Sequence, residues 1–151
     1  MLQFNWRQEV LAEDWTLLLA ADPARGRIES YLGKSAILEA RIKDQLVGLL
    51  LLVSKSTERG EIVNLSVNET QQNQGIGSQL IQRALIHGKK IGYQSMEVST
   101  GTTSFCPLYL YQKNGFRVES VEQDYFTKGY AEELIENGLV LKDRLILAQS
   151  L

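Results

Sequence analysis

Apolar positions follow two rhythms along the chain. One has the 3.6-residue period of a helix; the other alternates, or runs unbroken, as strands do. Leu11 to Ala20 is apolar at helical spacing around Trp15. Asp22-Pro23-Ala24-Arg25 breaks that helix and starts another, which runs through Ile28 and Leu32 to Gly33. Ser35 to Ile42 and Gln45 to Ser54 read as two strands joined by a tight turn at Lys43-Asp44, with Glu58-Arg59-Gly60 as the next turn. The unbroken run LVGLLLLV, Leu46 to Val53, is far too short to span a bilayer and reads as a fully buried strand. Glu61 to Val67 is a third strand, leading into a polar loop from Asn68 to Gly75. Ile76, Leu80, Ile81, Ala84, Leu85 and Ile91 then predict a helix from about Gly75 to Gly92. Met96 to Thr100 is a short strand. Phe105 to Asn114 is a helix with Pro107 in its first turn and Gly115 in the place of a left-handed cap. Phe116 to Phe126 reads as a strand, Tyr130 to Glu136 as a short helical piece, and Arg144 to Ala148 as a last strand.

This order predicts a mixed α/β chain built around one sheet. Its 151 residues fit one domain, Met1 to Leu151. A net charge of -2 implies no basic face, so nucleic acid is not expected as a partner. The N-terminus has no basic start followed by an apolar segment, so neither a signal peptide nor membrane insertion is expected. The single cysteine, Cys106, rules out an internal disulfide and suits a cytoplasmic location. It reads as a small packing residue. His87, the only histidine, reads as solvated or capping, and one histidine does not build a typical zinc site, so no metal is expected.

The chemistry is concentrated at Gln72-Asn73-Gln74-Gly75-Ile76-Gly77, where a strand passes through a glycine-bearing loop into a helix. A helix N-terminus offers unpaired N–H groups and the positive end of a dipole, and glycines let a phosphate approach the backbone. The loop lacks the lysine of a P-loop. Leu80 stands where the third glycine of a dinucleotide fingerprint would fall. On the loop alone, a simple turn with close packing remains open.

The segments EIVNLSV and QNQGIGSQLI, followed by LYLYQKNGF from Leu108 to Phe116, resemble the GNAT superfamily of N-acetyltransferases. The first pair matches the family's acyl-CoA strand and its Q/R-x-x-G-x-G/A loop. The second matches its LY-x-K-x-GF segment. DYF at Asp124 to Phe126 and IENGL at Ile135 to Leu139 further resemble small bacterial members. The resemblance implies a mainly antiparallel sheet of six or seven strands, with one splayed parallel pair and helices on both faces. It implies acetyl-CoA as co-substrate, with its pyrophosphate at Gln72, Gln74, Gly75, Gly77 and Ser78. The pantetheine arm would pair with backbone at Leu65 and Val67, between that strand and Met96 to Thr100. Many relatives carry an asparagine after this second strand, where Thr102 and Thr103 stand here.

Acetyl transfer to an amine needs a base for the amine proton, a donor to the carbonyl oxygen and an acid for the leaving thiolate. The resemblance places Tyr111 as the acid, whose phenol stays protonated at neutral pH. Tyr109, two residues earlier, faces elsewhere and reads as partly buried packing. Glu61 is the base candidate. By alternation it shares a face with Val63, Leu65 and Val67, whose apolar surroundings would raise its pKa. A relay of water and backbone carbonyls is the other route. A backbone N–H near Leu65 is the expected donor to the carbonyl oxygen. Asn64 and Ser66 face away from Glu61 unless the strand is bulged. Among the other aromatics, Trp6, Trp15, Tyr31, Tyr125, Phe126 and Tyr130 divide between core and acceptor pocket. The expected function is acetyl transfer to a primary amine of a small molecule, peptide or protein. A non-catalytic acyl-CoA-binding module is the alternative. A homodimer is possible, with the C-terminal strand as a pairing edge.

Overall fold

The computed structural model describes residues 1–128 and 130–151. The chain runs β1 (Leu2–Arg7), α1 (Asp14–Ala21), α2 (Arg25–Leu32), β2 (Ala36–Ile42), β3 (Gln45–Ser54) and β4 (Arg59–Val67). After a short 3₁₀ turn at Glu69–Gln71 come α3 (Ile76–Ile91), β5 (Ser95–Gly101), α4 (Phe105–Lys113), β6 (Arg117–Glu122) and α5 (Tyr125–Lys128). The chain ends with β7 (Ile135–Glu136), β8 (Leu139–Val140) and β9 (Arg144–Ser150).

Seven strands form one sheet in the order β1-β2-β3-β4-β5-β9-β6, while β7 and β8 form a separate hairpin. Every neighbouring pair in the large sheet is antiparallel except β4 with β5. The unbroken apolar run of β3 is buried because helices cover both of its faces. Leu17 and Leu18 of α1 and Ile28 and Leu32 of α2 pack on one face against Leu49 and Leu51. On the other face Ile76, Leu80, Ile81 and Ala84 of α3 pack with Leu50, Leu52 and Ile62. Tyr111 and Phe116 belong to this second cluster. The turn between β2 and β3 falls at Lys43 and Asp44, both with positive φ, as a tight hairpin requires.

The structure differs from the sequence expectation in four elements. No element is expected at Leu2–Arg7, yet β1 forms there, with Leu2, Phe4 and Trp6 alternating onto the core. The strand expected to reach Phe126 stops at Glu122, because Asp124 turns the chain with positive φ into α5. The helical piece expected at Tyr130 to Glu136 is absent. Its end forms strand β7 instead, paired with β8 around Asn137 and Gly138. The C-terminal strand is not an edge: β9 is inserted between β5 and β6, and β1 and β6 are the edges. Among the described residues no helix is long and apolar enough to cross a membrane.

A charged network ties β1 to α1. Arg7 bonds the Asp14 carboxylate through both terminal nitrogens and Glu39 through Nε at 2.6 Å. Glu39 also accepts from Arg41. Burial works to raise the Glu39 carboxyl, but the hydrogen bonds from Arg41 and Arg7 outweigh it and hold the group below the usual range. A carboxyl depressed on folding contributes stability that is complete above its unfolded pKa, about 4.3, and is lost as pH falls through the lower folded value. Glu39→Gln is therefore expected to cost about 2 kcal/mol at neutral pH. Chemical denaturation of both proteins should show that difference shrinking below about pH 4.

Candidate active site

The break in the sheet defines the site. β4 and β5 pair only from Arg59–Ser95 to Ile62–Val98, although β4 continues to Val67 and β5 to Gly101. Beyond that point the two strands diverge. A cavity of about 1030 Å³ occupies the opening, walled by β4 from Glu61 onward, β5 from Ser99 onward, and residues of α1, α2, α4 and α5. That volume suits a sizeable ligand. The Ser99 hydroxyl lies in this wall, buried without a hydrogen-bond partner.

A bulge in β4 decides which side chains meet here. Leu51 pairs with Asn64, but Leu52 pairs with Ile62, so Val63 is the extra residue. The strict alternation expected for this strand is therefore wrong past Val63. Leu65 and Val67 turn to the α3 face with Ile62, and not to the face of Glu61. Val63 packs with the α1–α2 cluster. Asn64, on the same side, donates to the Leu18 carbonyl at 3.2 Å and to the Tyr31 hydroxyl at 3.0 Å. Its own carbonyl oxygen is buried without a partner.

Glu61 lies in the cavity wall and its carboxyl is raised, first by burial and then by Glu97 directly across the β4–β5 pair. Lys55, Arg144 and Lys34, in that order, oppose that shift. Glu97 itself is buried and engaged by Lys55 at 2.6 Å and Arg59 at 3.1 Å. Tyr111 enters the same cavity from α4, on the opposite face of the sheet. Its ring meets Phe116 edge-on at 6.1 Å, and burial pushes its phenol up to about 12. The opening between β4 and β5 thus joins a carboxyl on one face to a protonated phenol on the other.

Of the loop residues, Gln72 reaches the cavity, where its amide donates to the Val67 carbonyl at 3.0 Å. Gln74, Gly75, Gly77 and Ser78 lie outside its wall, at the start of α3. Gly75 has φ +82 with open space where a Cβ would sit, and no side chain caps the helix. The first amides of α3 are thus left for solvent or a ligand. Gly77 differs: a Cβ there would stand 3.1 Å from Leu110 of α4, so its smallness serves packing between the two helices. Ser78 accepts a hydrogen bond from Asn114 at 3.1 Å, a second tie between α3 and α4.

Other sequence expectations divide. Tyr31, Tyr125, Phe126 and Tyr130 do line the cavity, whereas Trp6 and Trp15 do not. His87 is not a capping group but stacks on Trp6 with ring centroids 4.3 Å apart. Cys106 is exposed rather than packed, and so is Tyr109. Thr103 is tied to Glu136, its hydroxyl donating at 3.1 Å. Arg27 and Lys34, which no motif flags, also line the wall. Among the described residues no cluster of His, Cys, Asp or Glu could hold a metal ion.

This arrangement agrees with comparisons to known proteins. Residues 33–118 match the family model described as an acetyltransferase (GNAT) domain. An uncharacterized N-acetyltransferase of Bacillus subtilis strain 168, YvbK, is 36% identical over 97% of this chain and 94% of its own length. A GNAT family acetyltransferase from Elizabethkingia anophelis, solved with acetyl-CoA bound, is 33% identical. It superposes with a TM-score of 0.95, covering 99% of this chain and 98% of that one. A Bacillus subtilis acetyltransferase in complex with CoA is 35% identical, with a TM-score of 0.94 over 100% and 99% of the two chains. The chain belongs to the GNAT acetyltransferase family and, as a member, is an acetyl-CoA-dependent acetyltransferase.

The two glycines should separate by experiment. Gly75→Ala forces a side chain into a left-handed conformation and is expected to cost about 1–2 kcal/mol of stability. Gly77→Ala leaves the backbone unstrained and asks only the end of Leu110 to give way, so it should cost less. Thermal melts of the two variants check the order.

Proposed function

We propose that the chain transfers an acetyl group to a primary amine across the opening between β4 and β5, with Glu61 and Tyr111 as its catalytic residues. The observation behind this is the pair itself: a carboxyl raised by burial and a phenol held protonated, lining one cavity from opposite faces of the sheet. Acetyl-CoA, when bound, supplies the activated acyl group as a thioester. The unpaired stretch of β4 and the partnerless Ser99 hydroxyl fit an extended amide-bearing arm such as pantetheine. In this reading Leu65 and Val67 offer backbone hydrogen bonds. Gln72 braces the end of the strand. The free amides following Gly75, through Gly77 and Ser78, face the pyrophosphate with Gln74 beside them.

Glu61 takes the amine proton, directly or through water, and its raised pKa brings it closer to working pH than an ordinary glutamate. The amine then attacks as a neutral nucleophile. A backbone N–H near Leu65 donates to the carbonyl oxygen as charge develops there. Tyr111, which burial holds in its protonated form until the thiolate departs, gives its proton to that thiolate. The whole chain, Met1 to Leu151, works as one catalytic unit in this proposal. β1 closes one edge of the sheet and β9 lies within it, so neither end of the chain can be spared. The exposed free thiol of Cys106 suits the cytoplasm.

Calorimetry with acetyl-CoA, CoA, ATP and NAD is the direct test of donor class: CoA species should bind and the other two should not. Tyr111→Phe is then expected to lower kcat about 100-fold with acetyl-CoA affinity retained. Retained turnover in that variant would remove Tyr111 from the mechanism. Wild-type kcat/KM should fall as pH drops through a group titrating above the ordinary glutamate range. Glu61→Gln should lose that acidic limb along with most of the activity.

A further inference from the structure

We infer that the acceptor is an amine that also carries an anionic group, a carboxylate in the simplest case, on a flat apolar body, held by Arg27 in the first turn of α2 and Lys34 just beyond its end. The inference rests on the acetyltransferase reading above and specifies its second substrate.

Charge satisfaction in the cavity wall is asymmetric. The carboxylates are largely committed. Asp22 accepts from the Ala24 amide at 3.0 Å and from the Tyr130 hydroxyl at 3.2 Å. Glu136 accepts from the hydroxyls of Thr103 and Ser104. Glu61 is reserved for the amine proton, and Glu69 stands exposed at the rim. A cationic acceptor would find no carboxylate waiting for it beyond the base itself.

The cations are different. Arg7, Arg41, Arg59 and Arg144 each hydrogen-bond a carboxylate. The Arg27 Nε is buried with no hydrogen-bond partner; its ion pair with Asp22 is long, at 3.5 Å, and the side chain as a whole is 37% exposed. Lys34 is exposed, close enough to Glu61 to favour its ionised form, and enters none of the ion pairs among the described residues. A buried N–H donor that makes no hydrogen bond is costly, and a ligand oxygen within reach of it would reduce the cost. The guanidinium is also fixed in place by aromatic faces: its Cζ lies 4.9 Å from the Tyr125 ring centroid and 5.7 Å from that of Tyr130. Phe126 packs between these two rings, 5.1 Å from one and 5.5 Å from the other. The wall therefore presents a fixed planar cation beside flat apolar surface, the complement of an acid on an aromatic or similarly planar skeleton.

The test compares amino acids with their decarboxylated twins: phenylalanine with phenethylamine, tyrosine with tyramine, and tryptophan with tryptamine. CoA release is followed with the full chain at saturating acetyl-CoA. The acid of at least one pair is expected to be the better substrate by about tenfold or more in kcat/KM. Arg27→Gln and Lys34→Gln should each raise KM for that acid and narrow its advantage over its twin, while calorimetry shows acetyl-CoA still bound. Equal or better use of the decarboxylated amines by the wild-type protein would overturn the inference and point to a cationic acceptor. Failure to acetylate any member, in protein that binds acetyl-CoA, would overturn it while leaving the donor site standing. Loss of acetyl-CoA binding itself would remove the reading on which it rests.

Discussion

The parallel pairing of β4 with β5 stops at Ile62 and Val98, and the site follows from that break. Two strands that continued in register would satisfy each other's backbone and leave no opening. Here the extra residue Val63 bends β4 at the point where pairing ends. The same bulge reverses the faces of the strand. It sends Leu65 and Val67 to the α3 side and leaves Glu61 with Asn64 on the α1–α2 side. One local irregularity therefore makes the opening and sorts what faces it.

The helices hold the break in shape. α3 follows its cap Gly75 on one side, and α1 with α2 line the cavity on the other, so each face of the opening has its own set of partners. On the α4 side the environment is apolar and Tyr111 is kept protonated. On the α2 side it is charged, with Lys34 close enough to act on Glu61 and with Arg27 and Asp22 in the same cavity wall. A low-polarity face keeps the phenol protonated until the thiolate leaves, and a charged face suits recognition of a polar second substrate. The two halves of the proposed reaction thus occupy surroundings of different physical character, joined only through the gap in the sheet.

Much of this was legible in the chain itself. Helical spacing located α3, and Pro107 with Gly115 located α4, each to within a residue or two, because α3 buries a periodic apolar stripe and α4 carries local start and stop signals. The loop into Gly75 and the placement of Tyr111 near Phe116 were readable from short motifs. What could not be read depended on partners distant in sequence. The bulge at Val63 exists only relative to β3. The place of β9 between β5 and β6 is a choice among strand orders that periodicity does not distinguish. His87 meets Trp6, from the first strand, through tertiary packing alone. Arg27 and Lys34 carry no local signature, since a donor without a hydrogen bond and a lysine outside the ion pairs are defined by what fails to surround them. β1 is different: its alternation of Leu2, Phe4 and Trp6 was present in the sequence and overlooked.

The central claim is that the unpaired half of β4 is where the acyl donor docks. Amide hydrogen exchange of the full chain, with and without saturating acetyl-CoA, addresses it residue by residue. Exchange at Leu65 and Val67 and in the first turn of α3 should slow markedly with ligand, while the fully paired β2–β3 amides, already protected, should change little. Unchanged exchange along β4 together with new protection elsewhere would contradict the account, because the break in the sheet would then be a feature of packing and not the donor site.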